Sequence, residues 1–266
     1  MRRLQSLAVL MLGLTLAACR SLPEPESGSS AHSTYATPPE KIVDWSRGAY
    51  NKLANENLLP IYKRLGEPEW YCSCPIKKGA RGGRNSLDLR GCNLGRLRQR
   101  QPINAPTLSW EHVVPQSWLQ AGSRDEPGHE SAIRDPYNLV PATGALNTKR
   151  WYWPFAEIDG EDNGWLISGR EAFDGDCDFE VSEEEDLTWI EPPNHLKGDI
   201  ARITLYMYAR YGFSSPIFKD ELSVDIPAYL TQMREWSRED PLSEDERKRL
   251  HEIGLLVEWS DTPATY

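Results

Sequence analysis

The sequence predicts an α+β fold in which helices and short strands pack around one core. Apolar residues recur at helical spacing over residues 197–211, whereas residues 107–114 form a short, partly alternating apolar run that is typical of a strand. The 266-residue chain is 39% hydrophobic and contains 10 Trp and 11 Tyr, which is enough apolar side chain for a core. This composition excludes a wholly disordered or fibrous protein.

Residues 1–18 are predicted to be a signal peptide. A basic start precedes a nearly continuous apolar run over residues 7–16, which is too short to span a bilayer. Leu-Ala-Ala then precedes Cys19 and is similar to a bacterial lipobox, in which the cysteine carries lipid. The alternative is an ordinary cleaved signal in which Cys19 has no role. Residues 19–42, rich in Ser, Pro, Glu, Ala and Thr, predict a flexible tether, and residues 43–266 predict the folded domain.

Three segments of the domain are predicted to be helical. Residues 50–65 favour one helix, or two short ones broken before Pro60, because apolar residues recur every three to four positions. The helix over residues 197–211 is expected to end before Gly212, the residue type that most often follows a helix. Residues 241–255 predict a last surface helix.

Shorter elements are predicted between these helices. Residues 107–114 predict a strand that ends beside a loop, and residues 69–72 predict the start of another. Residues 142–150 are compatible with a helix, although Gly144 lowers the helix propensity. The acidic run at residues 183–186 is interpreted as a solvated turn.

The formal charge is −10, from 30 Lys and Arg against 40 Asp and Glu. This balance excludes a cationic nucleic-acid coat or a polybasic membrane binder as a description of the whole protein. Residues 76–100 are nevertheless strongly basic, and Asp88 is their single acid. That segment is either a solvated loop or a phosphate-binding surface. After the signal, no stretch approaches roughly 18 consecutive apolar residues, so no transmembrane helix is predicted.

The cysteines favour an oxidising compartment. If Cys19 carries lipid, an even set remains, Cys72, Cys74, Cys92 and Cys177, which an exported protein can join in two disulfides. A bridge between Cys72 and Cys74 would close a very tight ring, so the other two pairings stay open. A zinc site on these two residues is the competing interpretation. It is disfavoured because one residue separates them, whereas zinc sites usually place about two to four residues between paired cysteines.

His112 is the candidate catalytic residue. The chain lacks the serine-hydrolase elbow, the zinc-protease helix and the phosphate-binding P-loop. His112 lies at the end of the strand predicted over residues 107–114 and before Pro115, where a rigid scaffold can present a side chain beside a loop. The remaining histidines lie in polar or Gly-rich surroundings and are His32, His129, His195 and His251.

Three motifs around His112 resemble those of the bacterial endonuclease I family of secreted, nonspecific nucleases. They are Trp-Glu-His-Val-Val-Pro at residues 110–115, Asn-Leu-Val-Pro-Ala at residues 138–142 and Asn-Thr-Lys-Arg at residues 147–150. Tyr-Cys-Ser-Cys at residues 71–74 is similar to the family's Tyr-Cys-Gly-Cys. The resemblance covers residues 46–212 in the family's order, and its motifs are specific.

The resemblance implies that the α+β fold is built around a ββα-metal motif, also called a His-Me finger. His112 matches the general base, and Glu111 and Asn147 match ligands of Mg²⁺, for which Mn²⁺ or Ca²⁺ are substitutes. One carboxylate and one amide oxygen suit Mg²⁺, which keeps several waters, and suit structural zinc poorly. Adjacent residues on a strand point to opposite faces. Glu111 and His112 therefore share a site only if the strand bends or the metal lies beside the strand edge.

Further residues are assigned by the same resemblance. Arg150 matches an Arg that contacts phosphate or braces the motif, and Arg124 matches an Arg that stabilises the leaving side. Asn138 matches an Asn that orients the loop or His112. Residues 151–154, Trp-Tyr-Trp-Pro, depart from the family, which tends toward Ser-Asn. We expect this aromatic cluster to pack in the core rather than to stack on bases or sugars.

The sequence therefore predicts a Mg²⁺-dependent endonuclease that cleaves DNA without sequence preference, with RNA open as a second substrate. The resemblance implies 5′-phosphate and 3′-hydroxyl ends. We expect a monomer, anchored by lipid on Cys19 in the outer membrane or periplasm of a Gram-negative bacterium, or secreted. The alternative is a catalytically inactive lipoprotein of the same fold that binds nucleic acid or another polyanion. A third interpretation is a hydrolase of another phosphodiester.

Overall fold

The computed structural model describes most of the chain after residue 42. The described residues are 43–45, 48–77, 86–89, 92, 107–119, 132–158, 166–167, 170–171, 177–183, 188–213, 222–257 and 262–266. The predicted signal peptide, Cys19, the tether and Arg124 lie outside the described residues, as do most of the basic segment and most of the acidic run.

The first described elements are helical, as predicted. Helix α1, Tyr50–Leu53, continues through a π-helical segment, Ala54–Leu58, into helix α2, Leu59–Leu65. Pro60 has no N–H to donate to the preceding turn, and it lies at the junction where the π-helical segment gives way to α2. Gly66 ends the helix at a φ of 74°, in the left-handed conformation that glycine adopts without steric cost.

A buried carboxylate organises residues 69–72 as a turn, so the strand predicted there is wrong. One oxygen of Glu69 accepts the N–H of Cys72 at 2.7 Å and the N–H of Cys74 at 3.2 Å. The other oxygen accepts the N–H of Thr143 at 3.1 Å. The N–H groups of Cys72, Cys74 and Thr143 thus bind the side chain of Glu69, while the N–H of Trp70 donates to the carbonyl oxygen of Pro141 at 2.8 Å.

Two disulfides hold this turn to distant parts of the chain. Cys72 pairs with Cys177, across 105 residues, and Cys74 pairs with Cys92, across 18 residues. This is one of the two pairings left open by the sequence. Both bridges are of the kind that persists in an oxidising compartment.

Two antiparallel strands and a short helix form the centre of the fold and, with the flanking helices, confirm the α+β class. Strand β1, Leu108–His112, pairs with β2, Leu139–Thr143. Helix α3, Gly144–Arg150, follows β2 without a break, and the Thr143 hydroxyl caps it by accepting the N–H of Leu146 at 3.2 Å. β1 and α3 were predicted, whereas β2 was not.

Two smaller strand pairs follow α3. Strand β3, Leu166–Ile167, pairs with β4, Arg170–Glu171, and β5, Glu180–Glu183, pairs with β6, Thr188–Glu191. Strand β6 also forms a parallel bridge with Phe155, a fully buried residue of the segment that leaves α3. The second pair is thereby attached to the central motif.

Three longer helices complete the described fold. Helices α4, Lys197–Tyr211, and α6, Glu244–Gly254, confirm two predictions, whereas α5, Ile226–Glu239, was not predicted. Helix α4 packs against α5. Gly198 allows this approach, because a Cβ there would lie 2.0 Å from the carbonyl oxygen of Asp240. Within the described residues, every helix falls short of the length and apolarity required for a bilayer span.

A buried aspartate joins the start of β2 to helix α4. The carboxylate of Asp135 accepts hydrogen bonds from the hydroxyls of Tyr206 at 2.8 Å and Tyr211 at 2.9 Å, and from the N–H of Tyr137 at 2.9 Å. Burial raises the pKa of Asp135 to about 6, and these donors oppose the rise. The longest helix is thus bonded directly to the segment that enters β2.

Candidate active site

A pocket of about 350 Å³ opens at the end of β1. Three residues singled out in the sequence, Glu111, His112 and Asn147, line it together. Tyr50 from α1 and Gln116 from the turn after β1 complete its polar wall. Sequence reasoning missed the last two, because neither belongs to a recognisable motif.

Hydrogen bonds define the orientation of the His112 ring. Its Nε2 lies 2.8 Å from the carbonyl oxygen of Ile133, which can only accept, so Nε2 carries the proton in the neutral ring. Its Nδ1 then has the lone pair and faces the amide nitrogen of Gln116 at 3.3 Å. The ring of Tyr50 packs edge-on against the imidazole, with centroids 4.6 Å apart. The basic nitrogen is therefore on the side of Gln116, a residue of the pocket wall.

The surroundings of His112 favour the neutral imidazole. Burial, together with the smaller effect of the nearby Arg150 charge, lowers the pKa of His112 to about 4, and the hydrogen bond to Ile133 opposes this shift. The unprotonated form, which can accept a proton, is thus populated at neutral pH.

Glu111 is buried between a guanidinium and a phenol. Its Oε1 lies 3.3 Å from Nε of Arg150, and its carboxylate accepts a hydrogen bond from the Tyr71 hydroxyl. Burial raises the pKa of Glu111 to about 7, against the opposing effects of Arg150 and Tyr71. Oε1 is fully buried and has no hydrogen-bond donor among the described residues. A buried oxygen in that state is a ready ligand for a cation.

Asn147 belongs to α3 and faces the same pocket. Its Nδ2 donates to the Ser109 hydroxyl at 2.9 Å and to the Trp110 carbonyl oxygen at 3.0 Å. Both donors of the amide group are used by β1, which leaves the amide oxygen as the group available for a ligand. The side chain is half-buried, so this oxygen is accessible from the pocket.

Arg150 lies behind the pocket and is completely buried. Its Nη1 donates to the carbonyl oxygens of His112 and Trp151, each at 3.3 Å, and its Nη2 donates to that of Val113 at 2.5 Å. The guanidinium carbon also lies 4.6 Å from the ring centroid of Phe155. Of the two roles considered from the sequence, this position favours bracing the motif over contacting phosphate.

Asn138 is also fully buried and holds the turn that follows β1. Its Oδ1 accepts the N–H of Val114 at 2.7 Å, and its Nδ2 donates to the Val114 carbonyl oxygen at 2.9 Å. Its own carbonyl oxygen accepts the N–H of Val113 at 3.1 Å. These bonds fix the conformation of the loop that follows His112.

The aromatic cluster after α3 is divided between the core and the surface. Tyr152 and Trp153 are half-buried and pack against the core, as expected. Trp151 is 60% exposed, so the expectation that it packs in the core is wrong. Its φ of 49° turns the chain away from α3 and leaves the indole on the pocket rim.

The donor set of the pocket fits a hard divalent cation. Glu111 offers a carboxylate oxygen without a hydrogen-bond donor, and Asn147 offers an amide oxygen. Oxygen ligands of this type suit Mg²⁺. Across the described part of the chain, no three or more His, Cys, Asp and Glu side chains gather into a metal-binding group. A cation bound by these two residues would take its remaining ligands from water and substrate.

Comparisons with known proteins agree with these features. The family model for Endonuclease I matches residues 69–256. The chain is 28% identical over 218 residues to a periplasmic deoxyribonuclease of Aeromonas hydrophila, covering 77% of this chain and 81% of the relative. It is 30% identical over 219 residues to an extracellular deoxyribonuclease of the same species, covering 77% and 83%. It is 27% identical over 175 residues to an extracellular ribonuclease of Bacillus subtilis, covering 62% and 53%.

Proposed function

The chain belongs to the endonuclease I family and is an endonuclease, and we propose that it is an exported, Mg²⁺-dependent enzyme that hydrolyses DNA with His112 as general base. The observation that carries the proposal is the orientation of His112. Its Nε2 is bonded to the Ile133 carbonyl, so its Nδ1 is the basic atom, and the same pocket contains Glu111 and Asn147.

His112 removes the proton from the attacking water. The lone pair of Nδ1 accepts this proton, and the ring becomes an imidazolium. The bond from Nε2–H to Ile133 strengthens as the ring gains charge, and it keeps the ring in one orientation during the transfer. The long contact from Gln116 to Nδ1 is weak enough for water to replace it.

Glu111 and Asn147 would hold Mg²⁺ through their oxygens. The bound cation would supply neutralisation of charge on the scissile phosphate and on the leaving oxygen. Arg150 and Asn138 act through the backbone, because they bind the carbonyl of His112 and the turn residues Val113 and Val114. The products are 5′-phosphate and 3′-hydroxyl ends.

DNA is the proposed substrate because two relatives that each match over three quarters of this chain are deoxyribonucleases. RNA is the second candidate, since a more distant relative is a ribonuclease. Export is supported by the periplasmic and extracellular relatives, by the two disulfides and by the signal predicted at residues 1–18. Lipid on Cys19 would anchor the monomeric domain, residues 43–266, through the tether at residues 19–42. Metabolic labelling with a fatty acid tests the anchor. Wild type is expected to carry the label, and Cys19→Ser is expected to lose it.

Plasmid cleavage tests the catalytic proposal. Supercoiled DNA is incubated with the oxidised protein in Mg²⁺ or EDTA, beside His112→Ala and the exposed-histidine control His195→Ala. We expect wild type and the control to nick and then fragment the plasmid only with Mg²⁺. We expect His112→Ala to lose about 10²–10⁴-fold in rate while it keeps its fold and DNA affinity.

The outcomes separate the candidate functions. Activity retained in His112→Ala would refute its role as the general base. Salt-sensitive DNA binding without cleavage, across divalent cations, would support the inactive binding lipoprotein instead. End-labelling of the fragments checks the predicted 5′-phosphate.

A further inference from the structure

Trp151 is the most exposed large apolar side chain of the described residues, and it lies at the active-site pocket. It is 60% exposed, against 44% for Tyr266 and 37% for Tyr208. It lines the same pocket as His112 and Asn147. An indole this exposed contributes little to packing in the core, so core packing does not explain why a tryptophan occupies this position.

Hydrogen bonds on both sides of its Cα hold the backbone of Trp151 in place. Its N–H donates to the carbonyl oxygen of Asn147 at 3.1 Å, and its carbonyl oxygen accepts Nη1 of Arg150 at 3.3 Å. The same guanidinium binds the carbonyl oxygen of His112. A φ of 49° is unfavourable for a side chain with a Cβ, and it persists because these bonds determine the turn.

Neighbouring rings fix the indole itself. The ring centroid of Tyr152 lies 4.2 Å from that of Trp151 at an interplanar angle of 44°, and that of Trp153 lies 5.6 Å away at 83°. Both neighbours are half-buried against the core. Trp151 is therefore a preformed aromatic surface beside Asn147, a proposed metal ligand, and a ligand stacking on it loses little side-chain entropy.

We propose that Trp151 is a nucleobase-stacking residue that binds an unpaired base next to the scissile phosphate, so that the enzyme prefers single-stranded or locally open nucleic acid. An indole offers a flat π-face, and every base presents a complementary one when it is unpaired. In an intact duplex the base faces are covered by their neighbours, and only the edges are exposed in the grooves. This assignment rests on the proposed nuclease function, because the scissile phosphate defines the position of the base.

Binding in EDTA tests the assignment without cleavage. Fluorescein-labelled single strands, and duplexes of the same length, are titrated with the oxidised full-length protein, and anisotropy gives each Kd. We expect Trp151→Ala to weaken single-strand binding by about 5- to 100-fold, the range found when base-stacking aromatics are truncated, and Trp151→Phe to keep most of the affinity. Duplex affinity is expected to change by less than about 2-fold. Tyr266→Ala, an exposed aromatic outside the pocket, is the matched control and is expected to change neither.

Trp151→Gly guards against misfolding, because glycine tolerates the positive φ. The assignment would be overturned if the folded Ala or Gly variant bound single strands as tightly as wild type. It would also be overturned if the variant lost the same factor in affinity for single strands and duplexes, or if wild type did not bind single strands. Addition of Mg²⁺ to the same samples, followed by measurement of cleavage, tests the nuclease proposal separately. If the Trp151 variants selectively lose single-strand affinity but wild type cleaves no nucleic acid, the stacking role stands and the nuclease function is refuted. If wild type cleaves nucleic acid and the variants keep the same preference for single strands over duplexes, the nuclease function stands and the stacking role is refuted.

Discussion

Arg150→Met is the substitution that most directly separates bracing from phosphate contact. Arg150 is completely buried, and its guanidinium binds three backbone carbonyls and lies 3.3 Å from Glu111. Methionine fills much of the same volume but leaves those carbonyls without donors and the carboxylate without a cation. Removal of one partner of a buried ion pair costs about 3–5 kcal/mol. We therefore expect a loss of about 3–5 kcal/mol in the free energy of unfolding at neutral pH.

Urea unfolding measures this loss, since the midpoint falls in proportion to stability while the slope reports the exposed surface. Arg238→Met, on an exposed position of α5, is the control and is expected to change stability by less than about 0.5 kcal/mol. Arg150→Lys keeps the charge without the planar fork, and an intermediate loss is expected. It also supplies a folded variant if Met at this position prevents folding.

Kinetics of the same variants identify the role of Arg150. Bracing predicts that kcat falls together with stability, because His112 and Val113 lose the donor that positions them. Phosphate contact predicts a raised KM with nearly unchanged stability. A loss of stability below about 1 kcal/mol in Arg150→Met, combined with a raised KM, would refute the bracing role.

Three further predictions concern the metal site, the disulfides and a buried acid. Glu111→Ala and Asn147→Ala should each raise the Mg²⁺ concentration needed for half-maximal cleavage, and unchanged titration curves in both would contradict the assigned ligands. Replacing Cys74 and Cys92 by Ala opens a loop of 18 residues and should lower the free energy of unfolding by about 3 kcal/mol, measured in urea against wild type. Because the folded pKa of Asp135 is raised from 3.8 to about 6, the unfolded carboxyl ionises first and stability falls as pH rises through this range. In Asp135→Asn, the decrease in the free energy of unfolding across this pH range should be smaller by up to about 3 kcal/mol. Parallel pH profiles of wild type and the variant would contradict this expectation.

Local signals in the sequence are sufficient to predict several helices and strands but not all of them. Helix α4 combines a regular apolar spacing with a terminal glycine, and both were visible. Helix α5 was missed although Asp225 caps it, Pro227 lies in its first turn, and Tyr229, Leu230, Met233 and Trp236 are its buried residues. Strand β2 contains Pro141, and because proline within an apolar run argues against a strand, the residue pattern there does not indicate one.

The candidate site was only partly accessible to sequence reasoning. The motifs brought His112, Glu111 and Asn147 into consideration, and the structure places all three in one pocket. The residue that orients His112 is Ile133, which acts through its backbone carbonyl, and a carbonyl has no sequence signature. The exposure of Trp151 depends on a positive φ at the end of α3, which spacing alone does not predict.

Pro141 also explains how two adjacent residues of β1 reach one site. Proline has no N–H, so the pair formed by Trp110 and Pro141 cannot be a hydrogen-bonded pair of the antiparallel ladder. The carbonyl of Trp110 therefore points to the open edge of β1, where Asn147 of α3 donates to it at 3.0 Å. The pocket lies along that edge rather than on one face of the strand. Alternation of side chains consequently does not separate Glu111 from His112. The position beside the strand edge is one of the two arrangements that allow both residues to reach one metal site.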